Sequence, residues 1–326
     1  MTMSDGIEKQ HQEARRGILG RILAEPTEQI RRSIKEVEDV TNRALIVYVA
    51  NFMNPFGAIT PMDIVPFEDV LRTLGDVKEV DLLINSPGGD INAAEKIVTL
   101  MRYRFDSIRV IVPNQAKSAA TLIATASDSI IMGYLSELGP IDSQVRVGEQ
   151  FLPAQSIIDA VKRLSDEIER AKADKKPIEH LITMSHRLDP ALWDFAIKAQ
   201  DLSKQFAIKW LTKHMCKGDV KRAGDVAKKL MDVNRFLSHG RMINVDMAKE
   251  IFPNVIELEK EDHLWNLIWE LYVRCEWETN RAGVAKLIAN RTNVITVGAS
   301  RGKQPNQNEQ AEAGKRKDGD VNASLV

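Results

Sequence analysis

Two short stretches carry residue types that could act on a carbonyl. Residues 85–90 read NSPGGD, directly after the apolar run 80–84, and a helical pattern starts at Ile91. Paired glycines at a strand end leave the backbone unshielded, so another group can come close to its N–H groups. Such a bend is either a tight strand-to-helix turn or an anion site made of main-chain amides. One crossover later, PNQAKSAATLIA (113–124) puts Ser118 at the start of a helix of small residues. A Ser there is either an N-cap or a nucleophile. Open α/β sheets hold ligands at the carboxyl ends of their strands. If both segments leave neighbouring parallel strands, the N–H of Gly88 or Gly89 and the N–H of Ala119 converge on one oxyanion beside the Ser118 hydroxyl.

The flanking sequence supplies the elements for that placement. Apolar runs at 44–50, 80–84, 108–112 and 129–132 read as strands, with helical spacing at 63–74, 91–104 and 119–126 between them. Strands alternating with helices predict parallel crossovers and a sheet covered on both faces. Further on, a hairpin is expected around Gly148, then helices at 154–172, 190–216, 219–231 and 246–251 and a strand at 255–258. Residues 262–278 form an aromatic helix with Trp265, Ile268, Trp269 and Tyr272 on one face, suited to core packing or to a protein partner. The expected organisation is a helical N-terminal arm (1–43), an α/β domain (44–259), the aromatic helix with a C-terminal extension (260–297) and a disordered polar tail (298–326).

Composition narrows the function classes. The 326 residues carry a net charge of −1, which gives no footprint for a nucleic acid. The two cysteines, Cys216 and Cys275, make neither a disulfide framework nor a metal spacing and fit a reducing, cytoplasmic setting. The six histidines form no HExxH or similar pair, so no metal and no cofactor is expected. The N-terminal residues lack a signal-peptide core and no window is apolar enough for an integral membrane segment.

LLINSPGGDINAAEKIVTLMR (82–102), VPNQAKSAATLIATASDSIIMGYLSELGPIDSQV (112–145) and NRFLSHGRMINVDMAKEIF (234–252), in that order, resemble the Clp-fold serine peptidases. Among these they are similar to the serine dehydrogenase proteinase family, related to Clp protease and signal peptide peptidase A. The resemblance implies a Clp/crotonase-like α/β spiral of parallel βαβ units with a helical C-terminal part, hydrolysis of peptide bonds in protein or peptide substrates, and a homo-oligomer. Carried onto this chain, it makes Ser118 the nucleophile and gives the oxyanion N–H groups to Gly88, Gly89 and Ala119.

The general base departs from the Clp pattern, in which a His follows the fourth strand. Here that loop reads SELGPIDSQV and holds no His. Three sources stay open. His239 lies in the C-terminal segment that resembles the family, where a His is characteristic; otherwise it caps a helix or pins a turn. Lys162, Lys172, Lys175 and Lys176 would serve a Ser–Lys dyad, which needs a desolvated amine. Asp142 lies in the loop itself and could orient a base or touch substrate. Lys117 is next to the serine and bears on the local potential, while His180 and His186 read as surface residues. The sequence therefore predicts a serine endopeptidase. The alternatives are a catalytically impaired Clp-like scaffold and a crotonase-type acyl-CoA enzyme.

Overall fold

The structure, a computed structural model, describes residues 26–298. Helix α1 (Pro26–Thr41) leads into β1 (Ala44–Ala50), a 3-10 turn (Pro61–Asp63), α2 (Ile64–Arg72), β2 (Glu79–Asn85), α3 (Ile91–Arg104) and β3 (Ser107–Val112). Then come β4 (Gln115–Ala116), α4 (Ala119–Thr125), β5 (Ser129–Gly133), β6 (Glu137–Leu138) and the hairpin β7 (Gln144–Val147) and β8 (Gln150–Pro153). The helical part is α5 (Ala154–Ala173), α6 (Glu179–Ser185), α7 (Pro190–Lys213), α8 (Val220–Leu230), α9 (Val233–Phe236) and α10 (Val245–Ile251). The chain closes with β9 (Val255–Leu258), α11 (His263–Ala282), β10 (Lys286–Ala289) and β11 (Val294–Val297).

The central sheet runs β11-β10-β1-β2-β3-β5-β9. From β1 to β9 neighbours are parallel, while β10 and β11 add an antiparallel edge. Side chains along a strand alternate between faces, and they sort into two cores. Ile46, Tyr48, Leu82, Ile84, Val110, Val112, Ile130 and Met132 point to the face covered by α2, α3, α4 and the C-terminal helices. Leu45, Val47, Val49, Leu83, Ile111 and Ile131 point to the face covered by α1 and α11. This is the mostly parallel, doubly covered α/β sheet that the alternation of runs predicts.

The stripe Ile30, Ile34 and Val37 seats α1 in the second core, next to Trp265, Ile268 and Tyr272 of α11. Trp265 lies flat under Gly133, where a Cβ would sit 2.6 Å from its ring. At 2% exposure Trp265 is core, in line with the core-packing reading of this helix, and Trp269 is half-buried beside it. The β10–β11 hairpin falls where only an extension was expected. Residues 1–25 and most of the expected disordered tail, 299–326, lie outside the described residues. No described helix is long and apolar enough to cross a membrane.

A second, shorter ladder runs across the carboxyl ends of the central strands. Ile59 pairs with Gly89, Ser86 with Ala116, β4 with β6, and Leu138 with Ile243. These pairings string together five segments that are far apart in sequence, and the candidate residues sit on them or close beside them. Gly89 lies on the ladder, Ser118 two residues beyond Ala116, Asp142 four beyond Leu138 and His239 four before Ile243.

Candidate active site

Ser118 occupies the N-cap position of α4, yet its side chain makes no capping hydrogen bond. Where a described helix does have a side-chain cap, the cap is an Asp or Asn: Asp90 receives the Ala93 N–H, Asp219 the Arg222 N–H and Asn244 the Met247 N–H. Ser118 also has φ 50° and ψ −115°, a left-handed backbone that a non-glycine residue adopts at a cost of about 1–3 kcal/mol. A strained turn at the start of a helix lifts the hydroxyl clear of the backbone, as in a nucleophile elbow. The capping explanation of Ser118 therefore lacks the bond that would support it.

The glycine bend is packed directly on this turn. Gly88 has φ +92°, and a Cβ there would lie 2.6 Å from Lys117 O, 2.7 Å from Ser118 Cβ and 3.0 Å from Ala119 N. Only a residue without a side chain lets the two turns meet so closely. The Gly88 N–H is already committed to Ser86 Oγ at 3.2 Å, so of the amides expected to face an oxyanion, that of Gly88 is taken. On the Ile59 side, Gly88 O accepts from Ile59 N–H and Asp90 N–H donates to Ile59 O. Extended backbone alternates its polar groups between edges, so the Gly89 N–H is directed to the opposite edge. Among the described residues, neither it nor the Ala119 N–H has a hydrogen-bond partner.

A cavity of about 660 Å³ opens at this point, and Gly89, Ser118, Ala119, Asp142 and His239 all line it. His239 Nδ1 is 2.9 Å from Asp142 Oδ1. Asp142 is buried at 3% exposure and its other oxygen accepts from Gln144 Nε2 at 2.8 Å. The Asp142 loop is held on both sides: Ile141 N–H donates to Leu230 O, and Ser143 Oγ donates to Ala199 O at 2.7 Å and lies 2.8 Å from Ser203 Oγ. His239 sits in the loop after α9, which turns at Leu237 (φ 62°) and is tied back by the Leu138–Ile243 pairing. His239 does not cap α10, because Asn244 does. No hydrogen bond joins Ser118 Oγ to His239 in this structure; such contacts commonly tighten only when substrate is bound.

The lysine candidates are elsewhere. Lys162, Lys172, Lys175 and Lys176 are exposed on or beyond α5, and none lines the cavity. His180 and His186 are likewise exposed and away from it. Lys117 turns its ammonium away to Glu137 at 3.1 Å and to Leu138 O at 3.2 Å. Burial pulls its pKa below lysine's usual value, opposed by the bond to Glu137. The rest of the cavity wall is largely apolar, with Leu122, Ile141, Phe151, Phe195 and Leu202. None of these five was singled out by sequence reasoning; their helical or strand spacing made them look like ordinary core.

A family model described as ClpP-like SDH-type serine proteinase matches residues 8–275. The chain belongs to that family. This ClpP-like SDH-type proteinase chain is also similar to two uncharacterized proteins of Methanocaldococcus jannaschii. One is 35% identical over 192 residues, covering 56% of this chain and 57% of the relative. The other is 32% identical over 187 residues, covering 56% and 55%. The family chain thus spans little more than half the length of the curated relatives it matches. Among solved structures it is similar to a mutant of ClpP1 from Listeria monocytogenes, with a TM-score of 0.36, 10% identity, and coverage of 68% of this chain and 96% of that one. At that score the superposition adds nothing to the sheet order described above.

Proposed function

We propose that this member of a serine proteinase family is an endopeptidase that uses Ser118, His239 and Asp142 as its triad. The observation that carries the reading is the His239–Asp142 hydrogen bond at the wall of the cavity that Ser118 also lines. A serine hydroxyl needs a partner to take its proton. Asp142 on Nδ1 fixes the imidazole tautomer that leaves Nε2 free to do so. The base then comes from the C-terminal loop and the carboxylate from the loop after β6, where the Clp pattern has its His.

In this scheme Ser118 Oγ attacks the scissile carbonyl carbon as its proton passes to His239 Nε2. The carbonyl oxygen becomes an oxyanion held by the N–H groups of Gly89 and Ala119. The C–N bond breaks, the leaving amine takes the proton from His239, and an acyl–Ser118 ester remains. Water, deprotonated by His239, hydrolyses that ester. One edge of the Gly89 segment is occupied by Ile59, so a substrate strand would pair with the other edge. A homo-oligomer belongs to this reading as an expectation from the family resemblance.

The test is cleavage of an unfolded polypeptide by the full chain and by Ser118→Ala. Cleavage that disappears in the variant, with its circular dichroism unchanged, is the expected result. Equal cleavage by both proteins would contradict the assignment. Absence of cleavage by either would favour the catalytically impaired scaffold.

A further inference from the structure

Lys286 is a charged residue buried at the start of β10, one strand in from the edge of the sheet. It stands opposite Ala50 of β1 and is 2% exposed. It also lies beyond residues 8–275, the part matched by the family model. Its ammonium donates to Ala58 O at 2.7 Å and to Asp63 Oδ2 at 2.9 Å, with Asp63 Oδ1 at 2.7 Å. Asp63 is fully buried, and the same Oδ2 accepts the Tyr48 hydroxyl at 3.0 Å and the Thr60 N–H at 2.8 Å. Burial, then the charge of Asp63, holds the Tyr48 phenol well above its ordinary pKa, so it remains a donor.

A buried ion pair of this kind is weak evidence of a stabilising role. Desolvating two charges is costly, and apolar residues of similar volume are often as good or better in their place. What the cluster does hold is a location. It grips the carbonyl of Ala58 and the amide of Thr60, the groups on either side of Ile59. Ile59 is the backbone on which the glycine bend rests: its N–H donates to Gly88 O at 2.7 Å, and its carbonyl accepts the Asp90 N–H at 2.8 Å. A Cβ on Gly89 would overlap the Ile59 main chain, so Ile59 and Gly89 cannot shift independently.

We propose that Lys286 is a positioning residue for the site: with Asp63 and Tyr48 it fixes Ile59, and through Ile59 it sets where the Gly89 amide points. The C-terminal hairpin, although remote from the cavity, is then part of the oxyanion machinery. The proposal rests on the peptidase reading above, in which that amide faces the developing charge.

The test compares the wild-type full chain with Lys286→Met/Asp63→Asn, which removes both charges together, and with Tyr48→Phe, which removes one hydroxyl. Two quantities are read: kcat and KM on a peptide substrate, and amide hydrogen exchange by segment. The double variant is expected to keep KM within about twofold while kcat falls about tenfold to hundredfold, the scale of an angstrom-level misplacement. Tyr48→Phe is expected to lower kcat about three- to tenfold, and it carries the test alone if the double variant does not fold. Exchange should quicken in residues 58–63 and 86–92 and not in 44–50 or 80–84. An unchanged kcat in an active protein, or exchange that quickens evenly over the sheet, would overturn the proposal. A wild type inert toward peptides would sink the peptidase reading instead, and the exchange pattern would still decide whether Lys286 positions the bend.

Discussion

His239 and Asp142, 97 residues apart in the chain, share a hydrogen bond of 2.9 Å between Nδ1 and Oδ1. The Asp142 carboxylate is buried and its second oxygen is taken by Gln144. The imidazole side chain is a quarter exposed and borders the cavity. A loop that lacks a histidine is thereby joined to one that has it.

Asp142→Asn tests that relationship without altering shape. An amide in place of the carboxylate can present its NH2 to Nδ1 and favour the wrong tautomer. The expected outcome is a fall in kcat of about 10³–10⁴-fold with little change in KM or in melting temperature. A variant as active as the wild type would remove Asp142 from the mechanism.

Gly89→Ala should damage both fold and site. Gly89 has φ +147°, and its Cβ would overlap main-chain atoms of Ile59, which cannot swing aside as a side chain could. Strain and overpacking together predict a loss of about 2–5 kcal/mol, read from urea unfolding. By contrast, Gly224→Ala, on α8 with open space around it, should be neutral or slightly stabilising.

Much of the fold was legible because strand and helix periods are local. The runs at 44–50 and 91–104 match the observed elements residue for residue. The helix expected from Asp63 begins one residue later at Ile64, with Asp63 closing the 3-10 turn that leads into it. The β10–β11 hairpin was missed although KLIA and VITV flank the polar tetrad NRTN, a usable hairpin signal. Its pairing with β1 spans the whole domain, which no local pattern reports. Ser118 and the glycines stood out by residue type. His239 emerged only through family resemblance, since a lone His in SHGRM has no periodicity. Lys286 carried one overlooked mark: a charged residue beside an apolar run too short to be a surface helix.

The stability of the chain should depend on pH through His214. Burial, then the nearby Arg102 charge, lowers its pKa to about 4, against the opposing pull of Asp128. Its ring stacks on Trp210 with centroids 5.8 Å apart. Above the ordinary value of 6.5 the residue is neutral folded or unfolded, and it contributes no slope. As pH falls from 6.5 toward 4 the unfolded chain takes a proton that the folded chain refuses, so stability is lost across that window. Between pH 7 and 4.5 the wild type should lose about 1–3 kcal/mol more than His214→Gln, measured by urea unfolding. Equal losses in both proteins would show that the folded environment does not disfavour the charged imidazole.

The central claim is that Ser118 is an activated nucleophile, and a fluorophosphonate reads this most directly. The full chain is treated with the probe, digested and mapped by mass spectrometry. A single adduct on Ser118 is expected, absent in Ser118→Ala and formed far more slowly in His239→Gln. An adduct on any other serine, or undiminished labelling of Ser118→Ala, would contradict the account.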